Sequence, residues 1–216
     1  MIATKKISQL QYISQVNPFK THQEAIENAL LGGCKWIQLR VKDLPEEEIL
    51  NIAKDAKAMC MVHEAVLIIN DHVKIAKAVD AEGVHLGLED MGVSEARKLL
   101  GADKIIGATA NTIEQISQHA HHAPDYIGLG PFRFTVTKKK LSPVLGLESY
   151  QKTIQDLKNL DINIPIIAVG GIKSTDVEDL IKAGVYGVAI SSDINQAEKP
   201  KLKIEEIEKS IQKCSK

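Results

Sequence analysis

Short apolar segments alternate with longer amphipathic segments along the whole chain. The apolar segments are rich in Ile and Val and are too short for helices, which predicts β-strands. They show little in–out alternation, as expected for parallel strands that are buried on both faces. We predict strands over residues 10–14, 36–39, 66–69, 83–86, 105–107, 126–129, 166–169 and 187–190.

The amphipathic segments between the strands carry helix-boundary signals. Thr21 is expected to cap the first helix, which Gly32 and Gly33 end. Pro45 suits the first position of the second helix, whose first turn is acidic. We predict helices over residues 22–31, 45–61, 71–79, 93–100, 113–121, 147–157, 174–183 and 202–213.

Strand–helix pairs in this order imply a parallel sheet with right-handed crossovers. The pairs can close into a barrel or form an open, doubly wound sheet. The doubly wound Rossmann type lacks its glycine fingerprint, because Arg133 stands where the third glycine should follow Gly128 and Gly130. No linker interrupts the alternation. We therefore expect one α/β domain over residues 1–216, a (β/α)8 TIM barrel.

Composition and charge narrow the classes of partner. The chain has 216 residues, of which 44% are hydrophobic and 25% charged, and a net charge of −1. This balance gives no electrostatic reason to bind nucleic acid or an anionic membrane, and 4% aromatic residues argue against a base-stacking surface. We expect small-molecule substrates. A homo-oligomer stays open, because sequence alone does not locate apolar surface patches.

The expected location is the cytoplasm. The N-terminal segment lacks the continuous apolar core of a signal peptide, and no stretch approaches the roughly 18 apolar residues of a membrane span. Cys34, Cys60 and Cys214 are odd in number and far apart, so they fit neither a disulfide framework nor a zinc site. Buried or idle thiols in a reducing compartment explain them best.

Polar residues follow the predicted strands at the edge where parallel α/β architectures bind ligands. Gln38, Arg40 and Lys42 follow the second strand, and Asn70 and Asp71 follow the third. The later strands are followed by Asp90, Thr109, Thr135, Thr137, Lys138, Gly170, Gly171, Ser191 and Ser192.

Each of these residues also suits a purely structural role. Arg40 and Lys42 suit a solvated loop, Asp71 and Asp90 suit helix caps, and the glycine pair suits a turn. The functional interpretation depends on their meeting at one end of the barrel. His85 lies within a strand, where a hydrogen-bonded core histidine is favoured over a catalyst.

Taken together, the polar residues predict two phosphate pockets and one metal. Many such barrels bind phosphate after strands seven and eight, through backbone N–H groups. Arg40, Lys42 and Lys138 add cationic donors for a second, more highly charged group. Asp71 and Asp90 are hard oxygen ligands, and two carboxylates plus substrate phosphates are a usual magnesium arrangement.

Seven segments resemble the thiamine-phosphate synthase family in sequence and order: QLRVKD, IIND, GVHLGLED, IGATANT, DYIGLGPFRFTVTK, IIAVGGI and GVAISS. The resemblance extends from Gln38 to Ser192. The GGI segment occurs in many phosphate-binding barrels, but its combination with IND, LGLED and TVTK is specific. The resemblance implies a transferase of thiamine biosynthesis, a thiamine-phosphate diphosphorylase.

The resemblance also implies a reaction. Members of that family join the diphosphate of 4-amino-5-hydroxymethyl-2-methylpyrimidine to 4-methyl-5-(2-phosphoethyl)thiazole, and carbon dioxide also leaves where the thiazole carries a carboxylate. The reaction is regarded as dissociative, with the thiazole nitrogen attacking a pyrimidine methylene cation. Magnesium and the residues Arg40, Lys42 and Lys138 would stabilise the leaving diphosphate.

Three sets of contacts follow from the resemblance. The magnesium ion is expected at Asp71 and Asp90. The pyrimidine diphosphate is expected at Gln38, Arg40, Lys42, Asn70, Thr109 and Lys138. The thiazole phosphate is expected at Thr135, Thr137, Gly171, Ser191 and Ser192.

Four positions depart from the family pattern. Val41 stands where glutamate is frequent, His72 where arginine is common, Thr109 where serine is frequent and Ser191 where an aliphatic residue is common. None of these changes removes a proposed metal ligand or cation, so they bear on substrate preference rather than on the reaction class.

Three other functions stay open at this point. A thiazole tautomerase on the same fold would need no metal–diphosphate pocket. A non-catalytic barrel that binds a phosphorylated metabolite is compatible with the fold, because folds do not dictate function. A phosphate-sugar isomerase would need a placed acid–base pair, and none stands out.

Overall fold

The parallel strands close into a barrel in which their spatial order is their order along the chain. The computed structural model describes residues 7–16, 21–134 and 143–214, and within these residues the strands are β1 Leu10–Ile13, β2 Trp36–Leu39, β3 Val66–Asn70, β4 Gly83–Leu86, β5 Ile105–Ala110, β6 Tyr126–Leu129, β7 Ile166–Val169 and β8 Gly187–Ile190. The first strand pairs in parallel with both β2 and β8, which closes the barrel. The predicted (β/α)8 TIM barrel is confirmed.

Helices surround the barrel and mostly match the predicted segments. Across the described residues they are α1 His22–Leu31, α2 Glu46–Val62, α3 Val73–Ala78, α4 Val93–Leu100, α5 Ile113–Ala120, α6 Gly146–Asn159, α7 Val177–Lys182, α8 Ser192–Asn195 and α9 Pro200–Cys214, with a 3-10 turn at Ser174–Asp176. Among these described residues, no helix is both long and apolar enough to cross a membrane.

The observed helix boundaries confirm some of the predicted start signals and contradict others. Thr21 caps α1 as predicted, in a reciprocal capping box with Glu24. Pro45 precedes α2 instead of starting it, with an extended ψ of 147°. The prediction that a helix begins at Asp71 was wrong, because Asp71 has a φ of 63° and lies outside the right-handed helical region. The short α8 was not predicted, since four residues show no helical period.

The strands are buried on both faces, and the two faces pack against different partners. One cluster fills the barrel interior and contains Ile7, Trp36, Ile68, Ile105, Tyr126, Ile167 and Ala189. The alternate strand residues belong to the larger cluster shared with the helices. Two residues beyond Trp36 and Ile68 on the interior face come Gln38 and Asn70. The interior therefore changes from apolar to polar toward the carboxyl ends of the strands.

Candidate active site

A chain of buried, hydrogen-bonded side chains crosses the polar layer of the barrel. Gln38 Nε2 donates to Gln11 Oε1 at 3.0 Å, and Gln11 Nε2 donates to the Tyr126 hydroxyl at 3.4 Å. His85 Nδ1 lies 3.0 Å from the Tyr126 hydroxyl, and His85 Nε2 lies 3.0 Å from Thr109 Oγ1. The structure thus joins two predicted site residues, Gln38 and Thr109, which belong to strands that are not neighbours.

Two members of this chain were missed by sequence reasoning. Gln11 and Tyr126 lie in β1 and β6, and each is buried with at most 1% of its surface exposed. A polar side chain at an inward position of a strand was the available signal. His85 is buried and bonded at both ring nitrogens, as expected for a core histidine.

Asp71 and Asp90 meet at the carboxyl ends of β3 and β4. The Asp71 backbone N–H donates to the His85 carbonyl at 2.8 Å, and an Asp90 carboxylate oxygen accepts from the Gly87 N–H at 2.7 Å. Neither carboxylate caps a helix, because α3 and α4 begin after His72 and Gly92 without a side-chain cap. The helix-cap alternative for both aspartates is therefore wrong.

Lys42 forms an ion pair with Asp71. The Asp71 side chain is 14% exposed, whereas the Lys42 side chain is 47% exposed. Partial burial, followed by the hydrogen-bonding contact and charge of Asp71, raises the pKa of Asp90, and the charge of Lys42 opposes that rise. Lys42 neutralises the two neighbouring carboxylates only in part. A bound cation would reduce the repulsion between them.

The residues at this position fit magnesium more closely than a protein-only metal cage. In the described part of the chain, no group of three or more His, Cys, Asp or Glu side chains is arranged to hold a metal. Magnesium usually keeps several waters and is bound by one or two carboxylates together with substrate phosphates. Asp71 and Asp90 meet that requirement.

Arg40 is half-buried beside this acidic pair. Its backbone N–H donates to Ser14 Oγ at 3.0 Å, and the same oxygen lies 3.0 Å from His22 Nδ1. Burial lowers the pKa of Arg40, while the charges of Asp71 and Asp43 oppose that shift. Arginine remains a cation under such conditions.

The loops after β6 and β7 are joined by Arg133. Its Nη1 donates to the Gly171 carbonyl at 2.7 Å, and its Nη2 donates to Asp176 Oδ1 at 2.8 Å. In the sequence, Arg133 stands out only because it occupies the third glycine position of a possible glycine fingerprint. Its partner Asp176 lies 43 residues away, so no local pattern indicated the pair.

The residues after β8 are tied to β1 and to the loop after β7. Ser191 Oγ donates to the Ile13 carbonyl at 2.7 Å, which turns the hydroxyl toward β1. Ser192 is the first residue of α8. Asp193 accepts from the Ser174 N–H at 2.8 Å and so connects this loop to the one after β7.

Two departures from the family pattern and three expected contact residues are left to place. Val41 is buried with 2% exposure, and His72 is half-buried just before α3. Thr135, Thr137 and Lys138 lie outside the described residues.

Comparisons with known proteins agree on one family. A family profile described as thiamine monophosphate synthase matches residues 10–194. The thiamine-phosphate synthase of Flavobacterium psychrophilum is 48% identical over 204 residues, covering 94% of this chain and 99% of that protein. The one from Bacteroides thetaiotaomicron is 48% identical over 191 residues, covering 88% and 91%.

A solved structure agrees with the sequence comparisons. Thiamine phosphate pyrophosphorylase from Pyrococcus furiosus superposes with a TM-score of 0.83 at 31% identity, covering 95% of this chain and 96% of that one. The chain therefore belongs to the thiamine monophosphate synthase family of transferases.

Proposed function

We propose that this protein makes thiamine phosphate from the diphosphate of 4-amino-5-hydroxymethyl-2-methylpyrimidine and 4-methyl-5-(2-phosphoethyl)thiazole or its carboxylated form. The observation that carries the proposal is the contact of Lys42, Asp71 and Asp90 at the barrel mouth. A binding protein or a tautomerase for a phosphorylated thiazole would need no such acidic pair with its own cation.

Magnesium would be held by Asp71 and Asp90 and, when bound, would supply positive charge to the diphosphate. The pyrimidine diphosphate would contact Arg40 and Lys42 through its phosphates. Its remaining contacts are proposed at Gln38, Asn70, Thr109 and Lys138. Asn70 is 6% exposed and directly precedes Asp71, which supports a contact beside the metal ligands.

The reaction requires no protein nucleophile. The bond between the pyrimidine methylene carbon and the diphosphate oxygen breaks, and its electron pair leaves with the diphosphate. Arg40, Lys42 and Lys138 would stabilise that charge in a partly buried site, where electrostatic interactions are stronger than in water. The lone pair of the thiazole nitrogen then forms the new carbon–nitrogen bond, and positioning of the two substrates contributes much of the rate.

The thiazole phosphate would lie over the loops after β7 and β8. Contacts are proposed with Gly171, Ser191 and Ser192, and with Thr135 and Thr137. The Ser191 hydroxyl is engaged by the Ile13 carbonyl, which supports a contact through the serine backbone. Such a contact tolerates the departure from the family's aliphatic residue.

We also propose a cytoplasmic location. Cys34, Cys60 and Cys214 are free thiols. Burial raises the pKa of Cys34 to about 11 and that of Cys60 to about 12, so both stay protonated and unreactive at neutral pH. Idle thiols of this kind support a reducing compartment.

The decisive test mixes the purified protein with both substrates and magnesium and separates the products by chromatography. We expect thiamine phosphate and diphosphate in equal amounts, and we expect a chelator to abolish both. Isomerisation of the thiazole without coupling would replace the proposal with a tautomerase. Binding of the thiazole phosphate without any turnover would replace it with a non-catalytic binding protein.

A further inference from the structure

The buried chain from Gln38 to Thr109 has a defined direction of proton donation. Gln38 donates to the amide oxygen of Gln11, and the amide nitrogen of Gln11 donates to the Tyr126 oxygen. That oxygen therefore accepts on one side, and its own proton is available on the other side for His85 Nδ1 at 3.0 Å. Burial raises the pKa of Tyr126, so its hydroxyl keeps the proton that it donates.

The donation from Tyr126 selects the tautomer of His85. A neutral imidazole has one donor nitrogen and one acceptor nitrogen. If Nδ1 accepts from Tyr126, then Nε2 bears the ring proton and donates to Thr109 Oγ1 at 3.0 Å. A threonine hydroxyl has a single proton, and since Thr109 accepts from His85, that proton is left to donate elsewhere.

We propose that His85 and Tyr126 are positioning residues that commit the Thr109 hydroxyl to donate into the active site, toward an acceptor oxygen or nitrogen of the pyrimidine diphosphate. The proposal rests on the proposed function for the identity of that acceptor. Thr109 lies at the carboxyl end of β5 and is 8% exposed, so its hydroxyl borders both the buried chain and the barrel mouth.

Packing keeps the network in one arrangement. The Tyr126 ring meets Trp36 edge-on with centroids 5.0 Å apart, and it stacks on His85 at 5.4 Å. Gly107 makes room for it, since a Cβ there would lie 2.1 Å from Tyr126 Cζ. A Tyr126→Phe variant therefore keeps the ring and its packing and removes the proton that orients His85.

The first test is a double-mutant cycle. Without the Tyr126 hydroxyl, His85 Nδ1 loses the donor that makes it the acceptor. His85 Nε2 can then become the acceptor, and the Thr109 hydroxyl can donate to it instead of into the active site. We expect Tyr126→Phe to lower kcat/KM for the pyrimidine diphosphate about tenfold or more, as loss of a donor to a polar or charged group does. The KM for the thiazole phosphate should not change. Thr109→Val should give a similar loss, and the double variant should lose no more than the worse single variant.

The matched control is Tyr150→Phe. Tyr150 is equally buried, and its hydroxyl donates to the Leu129 carbonyl outside the network. It should lower stability without lowering kcat/KM for the pyrimidine diphosphate. Losses for Tyr126→Phe and Thr109→Val that multiply in the double variant would overturn the proposal.

The second test needs no substrate. In protein labelled with 15N-histidine, the His85 signals are identified by their loss in His85→Gln. We expect a protonated Nε2 and an unprotonated Nδ1, and a shift toward the other tautomer in Tyr126→Phe. A protonated Nδ1 in the unmodified protein would overturn the proposal. Because this measurement is made without turnover, it fails independently of the synthase assay.

Discussion

At the scale of single residues, the acidic pair of Asp71 and Asp90 combines an unfavourable backbone conformation with two neighbouring like charges. Asp71 adopts a φ of 63°, which few side chains other than Asn and Asp tolerate. Its carboxylate contacts that of Asp90, whose pKa is raised first by burial and then by this contact. A protein selected only for stability would separate these charges, so their retention supports a ligand that needs both.

The first prediction concerns Asp90→Asn. The amide keeps an acceptor for the Gly87 N–H and gains a donor toward Asp71. We expect the free energy of unfolding without metal to rise by roughly 0.5 kcal/mol, or about 1–2 °C in the unfolding midpoint. The value is small because Asp90 itself is exposed and water screens its charge. Magnesium-dependent turnover should fall at least a hundredfold.

Thermal unfolding in a chelator checks the stability, and the product assay checks the turnover. A variant with a damaged fold would lose both stability and turnover, whereas Asp90→Asn should gain stability and lose turnover. If Asp90→Asn kept normal turnover, Asp90 would have no role at the metal.

The second prediction concerns Gly170, where the backbone has a φ of 93° and a Cβ would lie 2.8 Å from Pro131 Cα. Gly33 is a matched control, since its φ is 98° but a Cβ there has open space around it. Both alanine variants should lose about 1–3 kcal/mol from backbone strain, and Gly170→Ala should lose more because Pro131 must also move. Thermal unfolding compares the two, and equal midpoints would show that the close approach of Pro131 has no cost.

At the scale of elements, the loops after β6, β7 and β8 are linked to one another before any ligand binds. Arg133 joins the first two, and the bond from the Ser174 N–H to Asp193 joins the last two. Burial alone would raise the pKa of Asp176, but the bond from Arg133 leaves it lowered. The carboxylate is therefore charged at neutral pH, and the pair holds the Gly171 carbonyl, beside which the thiazole phosphate is proposed to bind.

The third prediction follows from that link. Arg133→Met should raise the KM for the thiazole phosphate about tenfold with little change in kcat, because it loosens a loop that binds ground state and transition state alike. Arg97→Met is the control. Arg97 also bonds an aspartate, Asp125, at 2.6 Å, but beside the segments that precede β5 and β6, at the opposite end of the barrel.

Steady-state kinetics with each substrate varied in turn distinguishes these variants. Arg97→Met should lower the unfolding midpoint and leave both KM values unchanged. An equal rise of the thiazole KM in the two variants would mean that general loss of stability, and not the loop link, sets the affinity.

At the scale of the whole molecule, the fold was more predictable from the sequence than the site. Eight apolar segments in regular alternation indicated a parallel α/β sheet, and the missing glycine fingerprint favoured a barrel over an open sheet. The barrel topology then placed Asp71 and Asp90 at one end. The bonds that Tyr126 forms with Gln11 and His85 were beyond reach, because they cross the barrel interior between strands that are not neighbours. The Arg133–Asp176 pair was hidden because it joins two loops 43 residues apart in the chain.

The last prediction concerns how ligands act on the whole barrel. Diphosphate without a metal would face the charges of Asp71 and Asp90, and magnesium without diphosphate would have these two proposed carboxylate ligands but no phosphate oxygens. Each should therefore strengthen the binding of the other, and the coupling must be reciprocal. We expect magnesium and diphosphate together, at about 100 times the apparent Kd, to raise the unfolding midpoint by about 5–10 °C, well above the sum of their separate effects.

Two variants make the coupling specific. Asp90→Asn removes one of the two carboxylates that repel diphosphate. Magnesium should therefore change the affinity of this variant for diphosphate less than it changes that of the unmodified protein. Glu178→Gln removes an acidic side chain that pairs with Lys182 and Lys213 on the helical surface, and the coupling should persist. If diphosphate stabilised the unmodified protein equally in magnesium and in chelator, the metal would bind elsewhere, because the two carboxylates would then impose no cost that a cation relieves.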